Sequence, residues 1–590
     1  MKVLIIGGYG TFGFGIAERL SGESGLELIL AGRNFEKAKA ACSKLSGAAT
    51  FTQLKLDRNN IDLDFKPDLI VDASGPFQTY SVFDLANYCI EQGIHYADLS
   101  DHSAEVLTAK TYYSNFPPKT TWVYYPTDDP VADANDFREM CGEVGFNRDF
   151  WDEWPNENVF LGFGLSTCPV LSAIGLREIE AHIGPAADVT IGIAPSPRAD
   201  LGRNVIAAAL NYAGQKKVGI LEDGEVKTVA GLTQTRRETI CVPGGVPLPQ
   251  LPFAVADAAD ALVLTDNFPS LKNIWTGAGT RPIWLHRILV FMSRAIADGV
   301  LPKLSPFTGL FYRAKNLFRF GSHRGGMFVR ASNEAGDASW NLVAEGDHGP
   351  RIPTLPVVAL IRKMLRGETP APGAYSGDEL ISLADLAPEF AQLDISYGLQ
   401  YDGADLAVYE AVMGEAYANL PPAIQDLHRT GKGRAFAGEC SVTRGRNPLS
   451  HIVAAIVGFP KSGENIPVMV TVTPDGSGEM WTRNFGGQTF QSHHSLGTGQ
   501  WARHVTERFG PMAVHMAILE DNGKLRINTR GWSIFGLPLP KFLRPGGEVF
   551  ETIDDVGRFV FHVDLTAPIF GRLCKYVGWL APAESDPKSG

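Results

Sequence analysis

Residues 7–13 read Gly7-Gly8-Tyr9-Gly10-Thr11-Phe12-Gly13. They stand between an apolar run, Val3–Ile6, and a helix-like stretch that extends through Leu20. The order of strand, glycine turn and helix is typical of the first βα unit of a dinucleotide-binding fold. In such a unit Gly8 allows the tight turn, Gly10 lets the backbone approach a pyrophosphate, and Gly13 lets the helix pack closely on the strand. Because the start of the helix also offers unpaired N–H groups to phosphate, residues 7–13 predict a nicotinamide or flavin nucleotide site.

The second apolar run, Leu26–Leu30, ends where the ribose-binding residue of this fold belongs, about 20 residues after the turn. No Asp or Glu stands there to bind a 2′-hydroxyl, and the next residues are Ala31-Gly32-Arg33-Asn34. Arg33 offers a planar fork and Lys37 a point charge to a 2′-phosphate. We therefore assign Arg33, Asn34 and Lys37 to the cofactor site and predict NADP rather than NAD. The alternative for Arg33 is a solvated loop arginine.

Residues 1–165 alternate apolar strands with amphipathic helices, which predicts a doubly wound α/β Rossmann domain. Further strands are predicted at Thr52–Leu56, Leu69–Val71, Ile94–Leu99 and Val159–Leu165. Ligands of parallel sheets bind beyond the carboxyl ends of the strands. The residues that this rule adds to the cofactor site are Asp57, Ser74, Gly75, Pro76 and Phe77. The alternative for Gly75-Pro76 is a simple turn.

The length of 590 residues indicates several domains. We predict the Rossmann domain at 1–165, an inserted α+β domain for substrate or dimer contacts at 166–350, a return helix with a linker at 351–400, and a β-rich accessory domain at 401–582. The linker is predicted to begin in the segment Thr369–Gly377, which is rich in proline and glycine. Residues 112–158 read as a loop-rich excursion.

Composition limits the compartment and the partners. The formal charge of −12 argues against general nucleic-acid binding, which needs a basic face. The 7 cysteines are scattered and contain no C-x-x-C pair, so neither a disulfide framework nor a zinc site is expected. The first strand starts at once, which leaves no room for a signal peptide, and no apolar stretch is long enough to span a membrane. We expect a cytoplasmic protein.

Five motifs together resemble the saccharopine dehydrogenase-like family, and more narrowly its members with an additional, uncharacterised C-terminal domain. They are GGYGTFG at 7–13, AGRN at 31–34, ASGPF at 73–77, IHYADL at 94–99 and STCP at 166–169. The resemblance covers residues 1 to about 385 and implies an NADP-binding Rossmann domain, oxidoreductase chemistry, and an inserted domain that often makes homodimer contacts. It selects no substrate, since some members reduce imines of amino acids and others act as enoyl reductases in lipid synthesis. Segment 112–158 is longer than the connection expected in the family.

Hydride transfer needs a proton donor beside the nicotinamide. The candidates at the carboxyl edge of the sheet are His102, Asp98 and Cys168. An unperturbed histidine titrates near neutrality, which favours His102, although a loop histidine is often only solvated. Cys168 precedes Pro169 and is either a group over the nicotinamide or a small buried hydrophobe.

Segment 281–324 contains 8 Lys or Arg residues and one acid, Asp298. Large apolar residues alternate with these cations, a pattern that suits an interfacial helix on anionic lipid. This would place the protein peripherally at the inner face of a membrane. The alternative is a buried helix with an ordinary basic rim.

The C-terminal region holds histidines whose spacing matches no usual metal-ligand pattern, so we predict no metal site. They are His451, His493, His494, His504 and His515. Its large side chains either fill a core or line a curved antiparallel sheet around an apolar ligand. These are Trp481, Phe485, Phe490, Trp501, Met516 and Trp532.

The sequence therefore predicts an NADP-dependent oxidoreductase that acts on a small molecule, with an apolar enoyl or carbonyl substrate as the first hypothesis. Two alternatives stay open. The first is reduction of an amino-acid imine, which would need carboxylate-binding arginines such as Arg198 or Arg203 near the nicotinamide. The second is a scaffold that binds NADP or lipid without turnover.

Overall fold

The computed structural model describes residues 1–75, 82–100, 106, 158–199, 202–317, 320–402, 406–429, 434–448, 450–451, 458–568 and 571–583. The chain divides into two compact units. Unit 1 consists of Met1–Arg237, Leu251–Ala335 and Val343–Ser396, and unit 2 of Glu238–Gln250, Gly336–Leu342 and Tyr397–Gly590.

The first sheet of unit 1 has 7 strands in the order β15-β6-β5-β4-β1-β2-β3, all of them parallel. The strands are β1 Lys2–Ile6, β2 Glu27–Gly32, β3 Thr50–Lys55, β4 Leu69–Asp72, β5 His95–Asp98, β6 Phe160–Phe163 and β15 Gly373–Ser376. The helices that follow them are α1 Thr11–Leu20, α2 Phe35–Cys42, α3 Phe83–Gln92 and α4 Thr167–Ile183. The strands at the centre of this sheet are mostly apolar and largely buried, as expected for a parallel sheet. The predicted doubly wound α/β fold is confirmed.

Strand β15 differs from the sequence-based prediction. The segment at Thr369–Gly377 was expected to begin a linker, but Gly373–Ser376 pairs in parallel with β6 at the edge of the sheet. An edge strand needs hydrogen bonds on one side only, so a short segment directly after prolines can form one. The return helix is present as α9, Leu355–Leu365.

The second sheet of unit 1 is mixed. Its strands in unit 1 follow the order β10-β11-β12-β7-β13, with the β8–β9 hairpin beside β12. The strands are β7 Asp188–Ala194, β8 Lys216–Glu222, β9 Glu225–Ala230, β10 Thr235–Glu238, β11 Leu251–Val255, β12 Asn273–Gly279 and β13 Gly325–Asn333, while β14 Gly336–Ala344 and β16 Ile395–Asp402 run across the unit boundaries. The helices are α5 Arg203–Tyr212, α6 Asp260–Asn267, α7 Ile283–Ala297 and α8 Thr308–Leu317. The inserted α+β architecture is confirmed.

A buried carboxylate fixes helix α1 to the returning segment. Two short helices follow β15, α10 Gly377–Leu380 and α11 Leu383–Gln392. Glu389 on α11 is 1% exposed and forms ion pairs with both Arg19 on α1 and Arg362 on α9. Loss of one partner from a buried ion pair strongly destabilises a fold. The helix that follows the glycine turn is therefore held by residues more than 300 positions away.

Unit 2 contains an antiparallel sheet of 11 strands, which closes on itself through an additional pairing between β22 and β23. The strands are β17 Arg434–Arg444, β18 Gly463–Asp475, β19 Gly478–Phe485, β20 Gln488–Leu496, β21 Val505–Phe509, β22 Met512–Asp521, β23 Lys524–Ile534, β24 Leu537–Pro538, β25 Gly546–Ile553, β26 Phe559–Ala567 and β27 Gly571–Pro582. Helices α12, Val408–Met413, and α13, Pro422–His428, pack against it. We call this structure the closed sheet, and it confirms the predicted β-rich C-terminal fold.

Candidate active site

The glycine turn depends on backbone contacts that leave no room for side chains. Gly7 has a φ of +76°, and a Cβ on Gly13 would lie 2.4 Å from the Gly7 carbonyl oxygen. A Cβ on Gly8 would lie 2.8 Å from Cα of Leu30 in the neighbouring strand. Gly10 donates its N–H to the Gly7 carbonyl at 2.8 Å, which closes the turn. Gly8 and Gly13 therefore leave no room for a Cβ, and a Cβ on Gly10 would lie 3.0 Å from the Gly7 carbonyl oxygen.

Helix α1 begins at Thr11 without a side-chain cap and without an acidic residue in its first turn. Its first N–H groups and its positive dipole end are therefore suited to an anion. Tyr9 and Phe12 are half-buried on either side of this start, and Thr11 is exposed. The glycine turn and the start of α1 together fit a pyrophosphate, because a backbone without side chains lets the phosphates come close to its N–H groups.

The residues after β2 divide into two roles. Asn34 caps α2 by accepting a hydrogen bond from the Lys37 N–H at 3.0 Å, and its own N–H donates to the Tyr9 hydroxyl at 3.2 Å. The Tyr9 ring lies against Gly32, where a Cβ would come within 2.4 Å of the ring. The side chains of Arg33 and Lys37 are exposed and make no hydrogen bond or ion pair to any residue that the structure describes. They are available to a ligand phosphate.

The loops after β3 and β4 are tied together by Asp72, which is fully buried. Its carboxylate accepts hydrogen bonds from the Ser74 N–H at 3.0 Å, the Ser74 hydroxyl at 2.6 Å and Arg58 Nε at 2.6 Å. Asp57 is exposed and accepts a hydrogen bond from the Asn59 N–H at 3.1 Å. Gly75 follows Ser74 and is half-buried, while Pro76 and Phe77 lie outside the described residues.

Asp98 ends β5 and is fully buried. It accepts hydrogen bonds from the Ser100 N–H at 2.9 Å, the Gly164 N–H at 2.8 Å and the Tyr96 hydroxyl at 3.0 Å. Burial raises the pKa of Asp98 to about 6, and these hydrogen bonds oppose the rise. Asp98 therefore joins the loop after β5 to the loop after β6, which is a positioning role. His102 lies outside the described residues.

Cys168 is 4% exposed and lies next to a buried carboxyl group. The Ser172 hydroxyl donates to its Sγ atom at 3.6 Å. Burial raises the pKa of Asp260 to about 6, and hydrogen bonds from Ser172, Cys168 and Thr276 oppose the rise. The thiol is part of a buried polar group on helix α4.

Sequence reasoning missed a cluster formed by three separate loops. His323 contacts Arg198 Nη1 through Nε2 at 2.9 Å and Asp347 through Nδ1, and Asp347 also accepts a hydrogen bond from the Ser196 hydroxyl. Burial raises the pKa of Asp347, but the Ser196 and His323 hydrogen bonds outweigh it and hold the pKa below its ordinary value. The side chain of His323 is 51% exposed. Positions so far apart in sequence carry no shared motif that could have revealed this cluster.

The loop that holds Ser196 and Arg198 runs to the glycine turn. Gly202 precedes helix α5, and a Cβ there would lie 3.2 Å from the Thr11 hydroxyl. Arg203 begins α5 and is exposed. The start of α5 therefore adjoins the start of α1.

The exposed large apolar side chains of unit 1 are concentrated in one segment. The segment contains Trp284, Ile288, Phe291, Val300, Leu301, Phe307, Leu310, Leu317 and Phe320, and the other exposed large apolar residues in the described part of unit 1 are Phe35 and Val205. Arg287, Arg294, Lys303 and Arg313 are exposed among them. Lys315 differs, because it is buried and donates to the Pro197 carbonyl at 3.0 Å. Among the described helices, none has both the length and the apolar character needed to cross a membrane.

Residues 3–123 match the family model described as the saccharopine dehydrogenase NADP binding domain. Unit 1 begins with a saccharopine dehydrogenase-like NADP-binding domain. Residues 420–580 match a second family model, described as a domain of unknown function, DUF4166. The predicted NADP cofactor, the resemblance and the additional C-terminal domain are confirmed, and the chain is an NADP-dependent oxidoreductase.

Solved structures similar to the chain include saccharopine dehydrogenase (L-Glu forming) from Saccharomyces cerevisiae, at 11% identity, with a TM-score of 0.40 over 68% of this chain and 100% of that one. A Gfo/Idh/MocA family oxidoreductase from Vibrio cholerae matches at 8% identity, with a TM-score of 0.25 over 63% of this chain and 91% of that one. A protein of unknown function from the DUF3598 family of Nostoc punctiforme matches at 8% identity, with a TM-score of 0.19 over 44% of this chain and 67% of that one. No curated protein matches the chain.

NADP supplies the hydride or accepts it at the nicotinamide. The residues that would hold the pyrophosphate are those of the glycine turn and the start of α1, where the backbone carries no side-chain cap. The loops after β4, β5 and β6 are fixed by Asp72 and Asp98 at the same carboxyl edge of the sheet. Within the described part of the chain, no three His, Cys, Asp or Glu side chains are grouped to hold a metal ion.

We predict that Arg33→Ala weakens NADPH binding by about tenfold to a hundredfold, because hydrogen bonds to a charged phosphate contribute roughly 1.5–3 kcal/mol. NADH binding should stay unchanged, since NADH lacks the 2′-phosphate. Titration of both nucleotides by fluorescence measures the two dissociation constants. Lys39→Ala, at an exposed position on helix α2, which follows Arg33, is the matched control. Equal losses for NADPH and NADH would contradict the assignment.

We predict that Asp98→Asn flattens the pH dependence of stability. The pKa of this carboxyl group is 3.8 in the unfolded chain and about 6 in the folded protein. The protonated Asp98 therefore makes its whole contribution to stability below about pH 4, and this contribution is lost as the pH rises through about 6. The loss amounts to about 3 kcal/mol in the wild type and is absent from the amide variant. Urea unfolding at pH 4 and pH 6.5 measures it, with the exposed Asp57→Asn as control. The same slope in all three proteins would show that Asp98 does not titrate in this range.

Proposed function

We propose that the enzyme transfers hydride between NADP and an apolar enoyl or carbonyl compound that reaches it from an anionic lipid surface. The observation that carries this proposal is the exposed apolar and basic surface on α7, α8 and the connection between them. We call it the apolar surface.

Helix α7 presents apolar side chains to solvent along one face. Trp284, Ile288 and Phe291 are 47%, 46% and 70% exposed, at positions that share a helix face. Contiguous apolar side chains at the surface mark a contact with a protein or a membrane. Arg287 and Arg294 are exposed on the same helix, and cations beside an apolar face favour anionic lipid.

The apolar surface lies one helix away from the glycine turn. Helix α8, with Leu310 64% and Leu317 78% exposed, packs against α5. Lys315 on α8 also donates to the Pro197 carbonyl in the loop that leads to α5. Because α5 begins beside Thr11, this arrangement supports a short route from a lipid surface to the cofactor.

The cluster of Ser196, Arg198, His323 and Asp347, in which the His323 side chain is exposed, supports a role for His323 in proton transfer. With Asp347 accepting a hydrogen bond from Nδ1–H, the Nε2 atom of the neutral ring accepts one from Arg198, and it would take up a proton once that contact opens. In the reductive direction NADPH would give the hydride to the substrate, and the protonated His323 ring would give the proton. His102, Asp98 and Cys168 remain candidates from the sequence.

An amino-acid imine is the second candidate substrate. Arg203 is exposed at the start of α5, beside the glycine turn, where it could bind a carboxylate. Assays with dodecanal, a trans-2-dodecenoyl thioester and an imine formed from a 2-oxo acid and an amino acid compare the two classes. NADPH oxidation by the imine alone would overturn the apolar substrate. Binding of NADPH without oxidation by any of the three would favour a scaffold without turnover.

We predict that the wild type co-sediments with phosphatidylglycerol vesicles and that the double variant Phe291→Ser with Leu310→Ser binds them at least tenfold more weakly. Each exposed apolar side chain that enters lipid contributes roughly 1.5–3 kcal/mol, which the serines remove. The double variant Phe535→Ser with Phe542→Ser, on exposed positions of unit 2, is the control. Absence of wild-type binding, or equal losses in both variants, would rule out the apolar surface as the lipid contact.

We predict that His323→Gln slows single-turnover NADPH oxidation by about a hundredfold or more, the usual contribution of a general acid or base. The dissociation constant for NADPH should not change, because His323 contacts Arg198 and Asp347 rather than the glycine turn. Stopped-flow absorbance at 340 nm measures the rate with whichever substrate is accepted. His102→Ala is tested beside it, and a loss confined to that variant would assign the proton to His102 instead.

A further inference from the structure

The interior of the closed sheet contains a cavity of about 220 Å³. Its walls are mostly apolar and include Phe490, Met516, Ile527 and Phe561. Interiors of proteins are normally packed without such voids, because an unfilled apolar cavity loses the dispersion contacts of its lining. A cavity of roughly 150 Å³ already binds a molecule of the size of benzene. The volume therefore suits a ligand rather than a packing defect.

The large side chains predicted to surround an apolar ligand divide between two places. Trp481, Phe490, Met516 and Trp532 line the cavity. Phe485 stacks on Phe490 at 5.9 Å, and Trp501 stacks on His515 at 4.3 Å. These two residues belong to the surrounding packing.

The charges at the cavity wall are already matched. The Glu507 carboxylate accepts hydrogen bonds from His494 at 2.9 Å and from the Ser492 hydroxyl at 2.7 Å, and it lies 3.5 Å from Arg483. Burial raises the pKa of Glu507, but His494, Arg483 and Ser492 outweigh it and hold the pKa at about 2. Glu551, the other acid in the lining, pairs with His428 at 2.6 Å. An anionic ligand would add an unmatched charge in a place where desolvation makes it costly.

One polar group of the lining has no partner. The indole N–H of Trp532 is buried and makes no hydrogen bond to any described residue. A buried donor without a partner is rare and destabilising, so an acceptor on a ligand would satisfy it. Thr529, on the same strand, also lines the cavity.

We propose that the closed sheet binds a neutral, apolar lipid molecule that carries one oxygen function, such as a long-chain alcohol, aldehyde or ketone. The chain of the ligand fills the apolar cavity, and its oxygen accepts a hydrogen bond from Trp532. The site lies in unit 2 alone and does not depend on hydride transfer in unit 1. No function is assigned to the domain that matches residues 420–580.

The test uses the full chain and the neutral fluorescent probe 1-aminoanthracene. The probe should bind with enhanced emission, and dodecan-1-ol should displace it at a concentration at least tenfold lower than dodecanoate at pH 8. Absence of probe binding would overturn the site, and stronger displacement by dodecanoate would overturn the neutral ligand. NADPH titration of the same sample reports unit 1 separately, so failure here leaves the proposed function untouched.

Two matched variants test whether the probe binds inside the cavity. Thr529→Trp should fill the cavity and abolish binding, whereas Asn528→Trp, at the exposed neighbouring position on β23, should leave binding unchanged. Equal binding by the two variants would overturn the location. Trp532→Phe keeps an aromatic side chain, although a smaller one, and removes the donor, so it serves even if Thr529→Trp fails to fold. This variant should bind dodecan-1-ol about threefold to tenfold more weakly and bind dodecane as the wild type does. An equal loss of affinity for both compounds would refute the hydrogen bond.

Discussion

The close approach of helix α1 to the glycine turn is the constraint on which the cofactor site depends. Gly13 meets the carbonyl of Gly7 so closely that a Cβ would come within 2.4 Å of it. This contact sets both the direction of α1 and the exposure of its first N–H groups to phosphate. The ion pairs of Glu389 with Arg19 and Arg362 then hold the far part of the helix. The glycine turn next to α1 and residues far away in the sequence thus position the same helix N-terminus.

The sequence predicts those features whose physical cause is local. Residues 7–13 follow a strand, form a turn and begin a helix within one short window. Gly486 and Gly487 likewise form the turn of the β19–β20 hairpin, where both have positive φ. The cluster of Ser196, His323 and Asp347 has no such signal, because it is assembled by the second sheet from three loops. Strand β15 was missed for a related reason, since its pairing with β6 depends on about 200 residues of intervening chain and overrides a loop-like composition.

Asp98 shows what the structure adds to a residue that the sequence locates. Asp98 was predicted at the carboxyl edge of the sheet, and it lies there. Its oxygens accept hydrogen bonds from two backbone N–H groups and a tyrosine hydroxyl, so it joins the loop after β5 to the loop after β6. Pattern can locate a polar residue at a strand end, but only its bonding partners distinguish a reacting group from one that fixes neighbouring loops.

The net negative charge of the chain bears on how the protein would be oriented at the proposed lipid contact. A formal charge of −12 repels the molecule from anionic lipid, and this repulsion acts on every face that carries the excess of acids. The segment at 281–324 reverses the local sign, with 8 Lys or Arg residues against one acid. In the proposed lipid contact, an anionic surface would attract α7 and α8 and repel the acidic remainder of the protein. That orientation would turn the helices next to α5, and thus the side of unit 1 nearest the glycine turn, toward the lipid.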